Sequence, residues 1–206
     1  MKFSASIAAL VFAACLPCGA MAGAQPAEQI ALPGDSVYQL PLAVTDQDGT
    51  VREWRSFRGR PRLVSMFYTS CQYICPLIID AAKALERSLT PTQLQRLGIV
   101  MISLDPARDS PAVLRETAAR RRLDSARWSL VVPPAAEVRA VAAVLGVRYR
   151  QLADGDFNHT SVLILLDPEG RVLARTEQMG SKGDPEFLAA VRRATDAAPP
   201  SQNRAL

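Results

Sequence analysis

Cys71 and Cys75 stand four apart and are followed at once by Pro76, in the stretch Thr69-Ser70-Cys71-Gln72-Tyr73-Ile74-Cys75-Pro76. The chain has two other cysteines, Cys15 and Cys18, both near the N-terminus, and one histidine, His159. A close thiol pair can do three things. It can form an inert disulfide, but closing so short a loop gains little. It can exchange thiol for disulfide with a partner. It can also bind a soft metal. Two thiolates and one imidazole fall short of the four ligands of a closed structural zinc site. They suit low-coordinate Cu(I) better, and Cu(II) can use the same set with added oxygen or water. Spacing alone leaves exchange and metal binding both open.

The elements that must position this pair are legible on either side of it. Arg62 to Tyr68 reads as a buried strand. The residue before a proline is pushed out of helical conformation, so Cys75 is expected to cap a helix that Pro76 opens. Leu77, Ile78, Ala81, Ala82, Leu85 and Leu89 mark one apolar face of that helix. Cys71 then falls in the joining loop. Both sulfurs lie at the C-terminal edge of a parallel sheet, where ligands collect in open α/β folds. The positive helix end is expected to favour thiolate and make at least one cysteine reactive.

Strand and helix patterns alternate through the rest of the chain. Val37 to Thr45 reads as a strand, with Pro41 placing it at an edge. Asp48-Gly49 is a hairpin turn before a strand from Val51 to Trp54. Asp46 and Asp48 belong to that turn, since no further acidic residues follow at calcium-loop spacing. Thr90-Pro91 starts a short helix, Ile99 to Leu104 is a buried strand, and Ser110-Pro111 caps a helix through Leu123. Trp128 to Val132 is a strand, Ala135 to Leu145 a helix, and Val147 to Leu152 a short strand. Ser161 to Leu166 and Arg171 to Thr176 form a hairpin, and Asp184-Pro185 begins a last helix to about Thr195. Strands separated by helices imply parallel pairing in a layered α/β domain. With the closing hairpin and helix, the best match is a thioredoxin-like sandwich carrying an extra N-terminal β-hairpin. The expected organisation is a signal or anchor over residues 1–24, a linker over 25–35, the domain over 36–196 and a flexible tail over 197–206.

The first 24 residues read as an export signal: Lys2, an uncharged apolar run from Ile7 to Ala14, then small residues around Ala22. Cleavage, retention as a membrane anchor and lipid attachment at Cys15 all fit this pattern. Export places the protein in an oxidising compartment, the periplasm, where a thiol pair becomes a disulfide unless a metal or a reductant holds it. About 180 residues remain after cleavage, enough for one domain. Apolar residues make up 49% of the chain and charged residues 21%, with a net charge of +4. Arg52, Arg55, Arg58, Arg60 and Arg62 cluster, as do Arg120, Arg121 and Arg122, and both groups read as solvated faces, with docking to an acidic partner as the alternative. No aromatic interleaving points to nucleic acid. Met66 and Met101 sit in strand patterns and read as core residues.

Three motifs in order resemble the Sco/SenC family. They are Met66 through Pro76, then Ser103-Leu104-Asp105-Pro106-Ala107-Arg108-Asp109-Ser110-Pro111, then Asn158-His159-Thr160 ahead of Asp167-Pro168-Glu169-Gly170. The resemblance runs from about Val37 to Phe187. It implies a thioredoxin-like fold and a copper site formed by Cys71, Cys75 and His159. Asp105 matches the family's acidic residue near the cysteines, whereas Arg108 and Asp109 read as a loop or helix-entry ion pair. Asn158 stands where the family often has Asp, and Thr160 where Ser is common. The implied role is a copper chaperone for the binuclear copper site of cytochrome c oxidase. Its expected partners are the oxidase subunit that bears that copper, other periplasmic copper carriers and thiol reductants. The alternative role is a thiol–disulfide oxidoreductase that reduces the acceptor's copper-site cysteines, with Cys71 and Cys75 as its catalytic pair. No motif for peroxide handling is present.

Overall fold

The computed structural model describes residues 31–71, 74–179 and 183–197. The expected signal, most of the linker and most of the tail lie outside these residues, as do Cys15, Cys18 and Tyr73. The strands that make the core are β3 (Arg62–Phe67), β4 (Gly98–Ser103) and β5 (Trp128–Val132). Every residue of β3 and β4 is buried. Successive side chains of a strand point to opposite faces, so both faces of these two strands are covered. Leu63, Val64, Met66 and Phe67 are all within 1% of complete burial. Each such side chain contributes about 1.5–3 kcal/mol on leaving water.

Helices sit between these strands because local signals start them there. Thr90 forms a capping box with Gln93 ahead of α2 (Pro91–Arg96). Ser110 caps α3 (Pro111–Arg120), and Asp184 caps α5 (Pro185–Asp196). Helical crossovers between neighbouring strands give parallel pairing. Accordingly β3 runs parallel to β4, with Phe67 opposite Ser103, and β4 parallel to β5. β8 (Leu163–Leu166) pairs antiparallel with β3, and β9 (Val172–Thr176) with β8. On the other side β1 (Ala43–Asp46) joins β5 and forms an antiparallel pair with β2 (Val51–Glu53). Among the described residues the main sheet is seven-stranded, ordered β2-β1-β5-β4-β3-β8-β9.

Four local expectations are corrected. Val37–Gln39 is a turn of 3-10 helix rather than strand, because Ser36 Oγ caps it and Trp54 Nε1 bonds the Val37 carbonyl at 2.9 Å. The helix after the cysteines, α1 (Ile74–Arg87), begins two residues before Pro76. A proline there costs no helical bond, since the first turn's N–H groups have no intrahelical partner. Leu77, expected on the buried face of α1, is 46% exposed, and the burial falls on Cys75, Ile78, Ile79, Ala82 and Leu85. Arg62 is not solvated: it is buried, donates from Nε to the Phe57 carbonyl at 2.8 Å and lies over the Phe57 ring.

The short strand expected from Val147 to Leu152 is present, but the strand it pairs with has no counterpart in the sequence reading. After α4 (Val138–Val144), β6 (Tyr149–Gln151) pairs antiparallel with β7 (Phe157–His159) in a separate two-stranded ribbon. Asp46 does serve the turn, accepting from Asp48 N at 3.0 Å and Thr50 N at 2.9 Å.

Candidate metal centre

The thiol pair sits where β3 runs out. Beyond Phe67, the Cys71 N–H bonds the Tyr68 carbonyl at 3.3 Å and turns the chain toward α1. Cys75 lies in the first turn of α1 and not at its cap. Its N–H donates to Cys71 Sγ at 3.4 Å, so the Cys71 sulfur takes up one of the unpaired donors of the helix end. Tyr68 N in turn donates to Cys75 Sγ at 3.5 Å. Each sulfur therefore accepts a backbone N–H, an arrangement that favours electron-rich sulfur. Cys71 and Cys75 are both buried, and no disulfide joins them. They line a cavity of 140 Å³ together with Phe67, Tyr68, Pro76 and Ile79. A larger cavity of 520 Å³, lined by residues such as Arg60, Pro61 and Arg96, contains none of these donors.

His159 arrives on β7, opposite Tyr149. Its Nε2 lies 3.7 Å from Cys75 Sγ, and its Nδ1 lies 3.1 Å from the Thr160 carbonyl oxygen. A carbonyl only accepts, so Nδ1 carries the proton and Nε2 turns its lone pair toward the sulfur. A hydrogen bond at the far nitrogen is how ligating imidazoles are usually oriented. Burial holds the His159 pKa below its ordinary value of 6.5, partly offset by the Thr160 carbonyl. The ring is therefore neutral at physiological pH.

Burial also pushes the Cys75 thiol well above the ordinary thiol range, and the neighbouring Cys71 and Asp109 add to the rise, against the Tyr68 N–H. The helix-end field was expected to give a low-pKa cysteine; at Cys75 desolvation outweighs it. This cysteine is a protonated thiol until something electropositive displaces the proton.

Cys75 thus reaches both Cys71 and His159. Among the described residues, however, no three Cys, His, Asp or Glu side chains already stand as a closed ligand cluster. Asp105 is buried, and its carboxylate accepts from Arg108 Nε. This replaces the expected Arg108–Asp109 pair. Asp109 instead turns inward, accepting from Ser103 Oγ at 2.5 Å and from Thr69 N at 3.2 Å, and from Thr69 Oγ1. Burial raises its pKa, and the Ser103 and Thr69 hydrogen bonds oppose the rise.

Sequence reasoning missed Tyr68. Its hydroxyl donates to the Phe157 carbonyl and accepts from the Phe157 N–H, both at 3.3 Å. Its ring meets Phe157 and His159 edge-on at 5.2 and 5.9 Å. Tyr68 therefore ties the strand that carries histidine to the strand that leads to the cysteines. Only its place three residues before Cys71 could have pointed to it.

Comparison with known proteins places this arrangement. The SCO1/SenC family model matches residues 32–195. The chain belongs to the SCO1/SenC family. A SCO1 protein homologue of Bacillus subtilis is 25% identical over 136 residues, which is 65% of this chain and 70% of the relative. The structure of Bradyrhizobium japonicum ScoI with copper bound is 27% identical, with a TM-score of 0.63, covering 75% of this chain and 97% of that one. BsSco, described as having a disulfide switch and as a member of the Sco family of cytochrome c oxidase assembly proteins, is 23% identical. Its TM-score is 0.64, and the match covers 77% of this chain and 93% of BsSco. The SCO1/SenC domain has the thioredoxin-like sandwich fold, and in this chain the β6–β7 ribbon brings the imidazole to it. No helix among the described residues is long and apolar enough to cross a membrane.

Proposed function

We propose that this protein is an exported copper chaperone that binds copper through Cys71, Cys75 and His159 and helps to assemble the binuclear copper site of cytochrome c oxidase. The observation that carries this reading is the 3.7 Å approach of His159 Nε2 to Cys75 Sγ, with Nδ1 turned away to Thr160. Two thiols and a neutral imidazole are a donor set for a soft or borderline metal; hard cations prefer oxygen. Membership in the family and the copper-bound state of the 27%-identical ScoI favour copper among such metals. Copper is cargo here. Binding displaces the Cys75 proton, and delivery proceeds by ligand exchange, with acceptor thiolates adding as Cys71, Cys75 and His159 leave.

A second reading has its own support. Cys71 Sγ lies 3.4 Å from the Cys75 amide, with both thiols in one small cavity. Such a pair can reduce an acceptor disulfide: two thiols here become one disulfide, and the acceptor gains two thiols. Complementation of a strain lacking this protein separates the roles. Under the chaperone reading His159→Ala and Cys71→Ser both abolish oxidase assembly. If His159→Ala assembles oxidase normally while Cys71→Ser does not, the reductase role is primary.

A further inference from the structure

The Asp105-Pro106-Ala107-Arg108-Asp109 turn connects β4 to α3, and its side chains grip two different segments. Arg108 Nε donates to the Asp105 carboxylate. The same guanidinium donates from Nη2 to the Gly155 carbonyl at 2.6 Å and places Nη1 3.9 Å from Asp156 Oδ1. Gly155 sits at φ +85° in the turn from which β7 starts, closed by a Leu152 N–H to Asp156 carbonyl bond of 2.7 Å. Two residues past Gly155 β7 begins, and it ends at His159. On the other side, the fully buried Asp109 holds Thr69 by its N–H and its hydroxyl. Thr69 lies two residues before Cys71. The turn is itself braced: Asp109 N bonds the Asp105 carbonyl at 2.9 Å, and Asp105 N bonds Ser103 Oγ at 2.9 Å.

We propose that this turn is a two-armed bracket that sets the position of the imidazole against the thiol pair, with Arg108 holding the histidine ribbon and Asp109 holding the cysteine loop. The planar guanidinium fork suits the first arm, because it serves a carboxylate and a carbonyl together, which an ammonium cannot do in the same geometry. The two arms are separate sets of bonds, so each is removable alone. Arg108 and Asp109 are positioning residues in this account, and Asp105 acts through Arg108.

The inference rests on Cys71, Cys75 and His159 forming the functional site, but its test needs no copper. In the metal-free, reduced full chain, amide exchange at Phe157 and Thr160 reads the histidine arm, and the rate of Cys71 alkylation by iodoacetamide reads the cysteine arm. Arg108→Met is expected to speed exchange at Phe157 and Thr160 about tenfold, the size of one charge-assisted hydrogen bond, and to leave alkylation within twofold. Arg108→Lys is not expected to restore slow exchange. Asp109→Ala is expected to raise alkylation about tenfold or more and to leave ribbon exchange within twofold. Thr69→Val, which removes only the hydroxyl, gives the same pattern at smaller size and serves if Asp109→Ala does not fold. The bracket is overturned if either arm's variant moves both readouts together, or if neither readout moves. A chain that passes this test yet binds no copper contradicts the proposed function and leaves the bracket standing.

Discussion

Removing one hydroxyl tests whether Tyr68 ties the two halves of the site together. Tyr68→Phe keeps the ring, its burial and its edge contacts with Phe157 and His159 at 5.2 and 5.9 Å. It removes both bonds to the Phe157 backbone, each 3.3 Å long. Burial pushes the Tyr68 pKa up to about 12, so the hydroxyl stays protonated and keeps donating throughout the neutral range. A typical intramolecular hydrogen bond is worth about 0.5–1.5 kcal/mol. Both of these are long, and Phe157 is only half-buried, so water replaces part of what is lost. The expected cost is about 1 kcal/mol, or about 2–4 °C in Tm for a domain of this size. Locally, the Phe157 amide should exchange about fivefold faster. Denaturant unfolding and hydrogen exchange on the metal-free protein measure the two. Parent-like exchange at Phe157 would refute the tie. A loss below about 0.3 kcal/mol would show that the ring packing, which the variant keeps, and not the hydroxyl, does the holding.

Other expectations follow from the same geometry. Copper binding must displace the Cys75 proton, whose pKa burial has raised, so log K should rise by at least about one per pH unit; competition titrations at three pH values show this, and a flat profile contradicts it. His159 is partly buried, and that burial holds its pKa below 6.5, so the unfolded chain takes up a proton near that pH which the fold takes up only at lower pH. Metal-free stability should therefore fall as pH drops through and below about 6.5, and this decline should flatten in His159→Ala. Gly170 has φ +89°, and a Cβ there would collide with the Tyr38 ring and stand 2.7 Å from Ser36 Oγ. Gly170→Ala should cost about 2–4 kcal/mol in denaturant unfolding, and a loss below 1 kcal/mol contradicts this packing.

The core of the fold was legible because its signals are local and strong. β3, β4 and β5 are short apolar runs, and the caps at Thr90, Ser110 and Asp184 mark where helices begin between and after them. β6 was legible as a short strand from Val147 to Leu152, but β7 and the ribbon the two form were not. β7 has three residues, too few to show a period, and much of what holds the ribbon comes from Tyr68 and Arg108, far away in sequence. The candidate donors could be named from residue type and from resemblance, since one histidine and one close thiol pair leave few choices. Their environment could not. The acidic motif was expected to act beside the cysteines through Asp105, but that carboxylate is committed to Arg108, and Asp109 is the one turned toward the cysteine loop. Whether a carboxylate faces inward depends on the register of the turn after β4, which no local pattern encodes. The high pKa of Cys75 was hidden for the same reason: helix-end position is visible in sequence, whereas depth of burial is a property of the packed fold.

The central claim is that the thiol pair and His159 act as one metal site. Titration of the fully reduced protein with Cu(II), followed by absorption and electron paramagnetic resonance, tests it most directly when run beside His159→Ala. The account predicts one copper per chain, a sulfur-to-copper charge-transfer band, and nitrogen hyperfine structure that disappears in His159→Ala together with tight binding. Failure to hold stoichiometric copper, or an unchanged spectrum and affinity in His159→Ala, would contradict it.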